Sequence, residues 1–481
     1  LSRKYFVSLK NLFFFMSHTI HTHTSSDTIA AIATPVGIGG ISVIRISGES
    51  SVTVADVLFR GRTAVRELPT HTIQYGTIAD PVSRETIDTV LVSVFRNPLS
   101  FTGEDVVEIS SHGGYFVAQK ILSLLYRSGA RPATPGEFTL RAFLNGKLDL
   151  AQAEAVADII HSKTEKAHKA SVDQLSGKLS TAVTLLREDI LNICSLLELE
   201  LDFSQEGIEL TEKKKVVAKL EGIQASIAGL SNSYMEGKVI KEGISVALVG
   251  KPNAGKSSLL NALLQEERAI VSEIPGTTRD TIQESVLLEG VEFIFNDTAG
   301  LRDSIDTIEL EGIKRTSKAI GSSNVVLILI DGSVPISEKD LSLYNSIDNE
   351  YSDSKTILHV LNKYDIKNAS VDFSMVKDPV WISCKSHQGM SDLKKRLIET
   401  SIPHHDSAES SVTITNARHR DALERANISL ENARVAINDG LGGDFAAVDL
   451  RAALNYLGEI IGLTTPDDIL NNIFANFCIG K

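Results

Sequence analysis

The chain has 481 residues, enough for about two to four domains, and its 42% hydrophobic and 23% charged residues can fill large globular cores. A formal charge of −13 excludes a protein that coats nucleic acid by bulk electrostatics and leaves any such contact to a local basic site. No apolar run approaches the ~18 residues of a membrane span. The three cysteines, Cys194, Cys384 and Cys478, have neither metal-ligand nor redox-pair spacing, which suits a reducing cytoplasm.

Residues 1–15 are basic, carry no acid and lack an initial methionine. They fit a transit peptide or, the reading preferred here, an extension upstream of a start at Met16. Residues 16–26 are polar and rich in His and Thr, so 1–26 is expected to be an extension or disordered. Over 27–145, short strands at Ile29–Ala33, Ile41–Ile46 and Thr89–Phe95 precede a helical stretch, Gly114–Arg127, which predicts an α+β domain. Its glycines read as turn residues, and periodicity assigns it no ligand. His112, before Gly113-Gly114, suits a turn or packing role better than a catalytic one.

From residue 146 the pattern becomes helical. Leu179, Val183, Leu186, Ile190, Ile193 and Leu197 alternate by four and three, and Val216, Leu220, Ile223, Ile227 and Leu230 form a second seam. Helices are expected again around Arg418–Ile437 and Phe445–Ile461. Segments 146–238 and 406–481 are therefore predicted to form one all-α bundle, with 239–405 looped out of it. The terminal Cys478-Ile-Gly-Lys481 fits a prenylation signal poorly, and lipidation is rejected.

The inserted segment 239–405 names its ligand. Ile244–Val249 is an apolar run with the pattern of a buried parallel strand. It enters Gly250-Lys-Pro-Asn253-Ala254-Gly255-Lys256-Ser257, a complete G-x-x-x-x-G-K-S loop, followed by a helical run over Ser258–Leu264. In that order backbone N–H groups wrap phosphates, Lys256 reaches the β and γ oxygens, and the Ser257 hydroxyl sits on magnesium. Three further strands each end in a motif. Phe293–Asn296 ends in Asp297-Thr298-Ala299-Gly300, for magnesium-bound water and the γ-phosphate. Val325–Ile330 ends in Asp331-Gly332, and Thr356–Leu361 ends in Asn362-Lys363-Tyr364-Asp365. The Asp365 carboxylate can accept guanine's N1–H and exocyclic amine, a donor pair that adenine lacks. Trp381-Ile382 then leads to Ser383-Cys384-Lys385. The segment resembles the Ras-like P-loop GTPases, and GTP hydrolysis is expected. Leu301 stands where those proteins carry the water-orienting glutamine, so another group must act there. Arg279 and Arg302 suit switch-loop salt bridges better than arginine fingers.

The motifs taken together resemble the MnmE (TrmE) family of tRNA-modifying GTPases from Asp27 to Lys481. They are Thr34-Pro-x-Gly-x-Gly-Gly, Arg45-Ile-Ser-Gly, Phe101-Thr-Gly-Glu-Asp-Val-Val-Glu108, Pro135-Gly-Glu-Phe, Arg141-Ala-Phe-Leu-Asn-Gly-Lys147, Gly276-Thr277-Thr278-Arg-Asp and the Phe-Cys-Ile-Gly-Lys481 tail. The resemblance implies a homodimer built through 27–145, which would bind a tetrahydrofolate derivative (5-formyl or methylene) through Arg45, Glu108, Lys147 and Lys481. It implies an FAD- and NADH-dependent partner of the MnmG (GidA) type in a heterotetramer. Together the two would place a carboxymethylaminomethyl or aminomethyl group on carbon 5 of the wobble uridine of certain tRNAs, with Cys478 taking part. It further implies Thr278 as a second magnesium ligand, Glu309 as the group positioning water, and potassium held by Asn253, Ser272, Ile274 and Thr277 in the loop Ser272-Glu273-Ile274-Pro275-Gly276-Thr277. Ile38 stands where many relatives carry a charge, and Pro275 where alanine is common. A ribosome-assembly or translation-type GTPase switch is the alternative, disfavoured by the N-terminal motifs and the Cys-Ile-Gly-Lys tail.

Overall fold

The computed structural model describes residues 27–35, 37–202, 213–266, 284–296, 319–366, 372–401, 412–440 and 443–481. The described residues fall into two compact units, one from 27–148 with 467–481, the other within 149–466.

In the first unit, β1 (Ile29–Ile32), β2 (Ile41–Ser47), β3 (Phe59–Gly61), β4 (Thr72–Ala79), β5 (Thr86–Phe95), β6 (Val106–His112) and β7 (Arg131–Pro132) form one sheet in the order β3-β4-β5-β6-β2-β1-β7. All pairings are antiparallel except β1 with β7. Strict alternation sorts the faces. Ile44, Val92 and Ile109 turn inward against α1 (Ser51–Leu58) and α2 (Tyr115–Arg127), which cover that side with Leu58, Ile121 and Leu125. The opposite face carries a row running Tyr75, Leu91, Ser110, Val43 and another running Ile73, Ser93, Glu108, Arg45. Ile41, Ile73, Tyr75 and Leu91 are exposed on it. β5 starts three residues earlier than the periodicity suggested, because the polar Thr86 and Asp88 carry the ladder past the apolar run.

Helix α3 (Glu137–Leu144) completes the unit before the chain enters the second. There α4 (Leu150–His161), α5 (Glu165–Leu175), α6 (Lys178–Asp202), α7 (Lys213–Asn232) and α8 (Tyr234–Glu242) lead to the second sheet. That sheet is built of β8 (Ile244–Val249), β9 (Glu284–Leu288), β10 (Val291–Asn296), β11 (Val325–Asp331), β12 (Thr356–Asn362) and β13 (Val380–Trp381), with α9 (Lys256–Glu266) and α10 (Glu338–Tyr351) between strands and α11 (Met390–Ser401) after the last. Its order is β13-β12-β11-β8-β10-β9, parallel throughout except for the β9–β10 hairpin. β11 is buried on both faces, as a central parallel strand must be. The chain returns through α12 (Ala417–Asn438) and α13 (Gly443–Ile461). One core joins Val183 and Ile190 of α6, Leu220 and Ile227 of α7, Leu423 and Leu430 of α12, and Leu450 and Leu457 of α13. Both sequence seams thus meet helices from beyond the inserted sheet. Among the described residues no helix is long and apolar enough to cross a membrane.

The last helix, α14 (Asp467–Ala475), and the tail behind it belong to the first unit, not to the bundle expected over 406–481. Phe474 and Phe477 are buried there, and Phe474 packs on Phe143 of α3. A Cβ on Gly136, which has φ +67°, would lie 2.6 Å from the Phe474 carbonyl oxygen, so this approach needs glycine.

Candidate functional site

The loop after β8 is held from several sides. Gly255 has φ +99°, and a Cβ there would sit 2.2 Å from Asn362 Nδ2. That closeness lets the Asn362 amide donate to the Ala254 carbonyl at 2.9 Å while its Oδ1 accepts from the Cys384 N–H at 3.2 Å. One buried side chain therefore joins the phosphate loop to both base-reading loops. Sequence reasoning placed Asn362 at the base and missed this bracing, because the parallel β12–β11–β8 order is what brings the loops together. Lys251 extends to Asp340 Oδ2 at 2.5 Å, at the capped start of α10, another tie the motif did not reveal.

Lys256 turns its ammonium onto the Gly250 and Lys251 carbonyl oxygens at 2.7 and 2.8 Å, and burial pushes its pKa down. Ser257 and Ser258 are exposed at the first turn of α9. Asn253 is exposed with φ +67°. Among the described residues no group of three His, Cys, Asp or Glu is placed to hold a metal. A Ser257 hydroxyl fits magnesium nonetheless, since that ion takes few protein ligands and fills its shell with phosphate oxygens and water.

At the base-reading end, Ser383 Oγ donates to Asp365 Oδ1 at 2.7 Å and orients the carboxylate. Lys363, with φ +67°, reaches Asp331 Oδ2 at 2.5 Å. Burial alone would raise the Asp331 carboxyl, but Lys363 and Ser333 hold it below its usual value. Asp331 closes its strand in the sequence, yet nothing there paired it with Lys363. Burial pushes the Cys384 thiol up to about 11, so it stays protonated, and Lys385 is exposed. Ser272, Glu273, Ile274, Pro275, Gly276, Thr277, Thr278, Asp297, Thr298, Ala299, Gly300 and Glu309 lie outside the described residues.

In the first unit, three of the four residues expected at folate come together. Arg45 Nε donates to Glu108 Oε1 at 2.8 Å across the β2–β6 pair, and Nη1 donates to the Gly480 carbonyl at 3.3 Å. Burial, then repulsion from Arg45, push the Lys481 ammonium below its usual pKa. Phe101 and Phe138 flank the guanidinium at 5.6 and 5.8 Å, contacts the motifs did not announce. Lys147 instead donates to the Pro98 carbonyl at 3.1 Å. A pair of cations beside a carboxylate fits a ligand with an anionic tail and ring donors. The tail is stitched in by N–H donation from Gly136 to the Cys478 carbonyl (3.4 Å) and from Phe138 to that of Lys481 (3.2 Å). The Cys478 side chain is exposed. His112 holds Asp88 at 2.7 Å through Nδ1 on the surface.

Family comparison matches residues 28–147 to the TrmE N-terminal domain and residues 150–478 to the MnmE helical domain. The protein described as tRNA modification GTPase MnmE in Syntrophus aciditrophicus is 40% identical over 460 residues, covering 95% of this chain and 99% of that one. The protein of the same description in Flavobacterium psychrophilum is 44% identical over 464 residues, covering 95% and 99%. Among solved structures, Era of Aquifex aeolicus bound to GDP.AlF4- is 23% identical, covering 39% of this chain and 66% of that one, with a TM-score of 0.25.

Proposed function

This chain belongs to the MnmE family of tRNA modification GTPases, and on that premise we propose that it couples GTP hydrolysis to modification of tRNA at the wobble uridine. The observation that carries the GTPase part is the Asn362 bridge, which ties the phosphate loop to the Asp365 and Cys384 loops in one rigid cradle. Lys256 serves the phosphates, Ser257 and Thr278 hold magnesium, and Asp365 reads guanine. Asn253 with Ser272, Ile274 and Thr277 takes potassium, whose charge stands in for an arginine finger, and Glu309 positions water.

In the first unit, Arg45 and Lys481 receive the acidic tail of a tetrahydrofolate one-carbon donor and Glu108 its pterin. That group supplies one carbon when bound. Lys147, engaged elsewhere with Pro98, would have to turn toward it. Cys478 acts at the uridine, together with an FAD- and NADH-dependent partner protein in the cytoplasm. The exposed Ile41, Ile73, Tyr75 and Leu91 on this sheet face support a homodimer through it. Mass spectrometry of wobble uridines tests the reading. A strain lacking its own family member should regain the C5-substituted uridine when this chain is supplied, and failure to regain it refutes the proposal.

A further inference from the structure

Helix α4 is tied to three different pieces of the chain that carries the GTPase sheet. Glu154 receives Arg418 Nε at 2.9 Å and Nη2 at 3.0 Å, and His419 Nε2 at 2.7 Å, from the first turn of α12, where the chain returns from the sheet. The same Arg418 continues to the carbonyls of Glu459 and Ile460 at the end of α13. Asp158, one turn along the same face of α4, pairs at 2.8 Å with Lys241 of α8, the helix by which the chain leaves for β8. Lys163, in the turn after α4, reaches Glu292 of β10 at 2.9 Å. The outgoing and returning connectors also meet, since Ile414 N–H donates to Ser233 Oγ at 3.0 Å and a Cβ on Gly237 would lie 2.1 Å from the Ile414 carbonyl oxygen.

These ties are unequal. Glu154 and His419 are both buried, so parting them would strand a charge out of water. Asp158 holds a connector, which turns with whatever it connects. Of these ties, the Lys163 one reaches the sheet itself, and Lys163 is 38% exposed while Glu292 is 7% exposed. Water can therefore take up the Lys163 ammonium more readily than Arg418 or His419, while Glu292, as buried as Glu154, keeps its charge out of water unless β10 moves with it. Glu292 also lies five positions before Asp297, on the strand that runs into the phosphate-sensing motif.

We infer that the Lys163–Glu292 pair is the releasable contact through which the nucleotide state of the GTPase sheet reaches the helical bundle, with the Glu154 cluster as the fixed pivot. Lys163 and Glu292 are then positioning residues that link GTP turnover to tRNA modification. The inference rests on the tRNA reading above and adds the contact that transmits it.

The test uses the full chain with its partner protein and substrate tRNA. Glu292→Gln and Lys163→Met each keep kcat and KM for GTP within about twofold of wild type. Modified uridine formed per GTP hydrolysed falls about tenfold, the size of an ordinary coupling term. The charge-swapped double variant, Lys163→Glu with Glu292→Lys, restores it, which separates pairing from mere folding should a single variant prove unstable. Single variants as well coupled as wild type, or a folded swap that fails to restore coupling, overturn the inference. A wild-type chain that makes no modified uridine overturns the tRNA reading, and this inference with it.

Discussion

Replacing Asp365 by Asn tests the base-reading geometry with little disturbance around it. Ser383 Oγ donates to Oδ1 at 2.7 Å, and an asparagine keeps an oxygen there, so the loop retains its shape. The second oxygen becomes an NH2 group facing the donors of guanine. Losing a hydrogen bond to a charged acceptor costs about 1.5–3 kcal/mol. At 1.4 kcal/mol per factor of ten, GTP affinity falls about ten- to 150-fold. Xanthine offers a carbonyl where guanine has its amine, so the amide donor meets an acceptor and XTP gains affinity. The chain's single tryptophan, Trp381, packs edge-on to Tyr364 at 5.7 Å, one residue from position 365. Its fluorescence, titrated with GTP and XTP, reports both changes. Unchanged GTP affinity with no gain for XTP would refute the assignment.

Glu309→Ala slows single-turnover hydrolysis about a hundredfold or more with nucleotide affinity retained, and a wild-type rate would move the water-positioning role elsewhere. The proposed potassium site predicts faster turnover in potassium than in sodium at equal ionic strength, a difference that Asn253→Ala removes. Equal rates in the two salts reject the potassium site. Cys478→Ser leaves GTP hydrolysis intact and abolishes uridine modification, so normal modification in that variant excludes the thiol. Burial would raise the Glu154 carboxyl, but His419 and Arg418 hold it down at about 2 from an ordinary 4.5. A depressed carboxylate stabilises the fold above its unfolded pKa, and that contribution is lost as pH falls from about 4.5 toward 2. Glu154→Gln accordingly flattens the acid limb of a melting-temperature profile, and an unchanged limb shows that other groups govern acid unfolding.

The GTPase sheet was legible because central parallel strands are apolar along their whole length and each ends in a motif with fixed chemistry. The helical seams were legible for a similar reason, since each repeats at helical spacing. The N-terminal sheet was harder to read. β4 alternates Thr, Gln and Gly with Ile and Tyr, and carries too little apolar contrast to announce itself. Cross-strand facts such as Arg45 facing Glu108 depend on register, which no single segment contains. The same holds for Asn362, whose second role exists only because a distant glycine leaves room for it. The tail was assigned to the bundle on its place in the chain, whereas Phe474 packs on Phe143 of α3 and Phe477 on Phe474.

Because that tail closes the first unit, the unit is discontinuous in time as well as in sequence. During synthesis, strands β1 to β7 emerge and pair while α14 and Lys481 must wait for all of 149–466 to be made. Joining them across so long an interval adds little equilibrium cost, since loop entropy grows only with the logarithm of length and each doubling adds about 0.6 kcal/mol. The delay is kinetic. Until the last residues dock, Arg45 lacks the Gly480 carbonyl and α3 lacks its cover over Phe143. The Arg45 pocket is thus finished last, and a chain released early would carry a folded GTPase sheet and an incomplete pocket at Arg45.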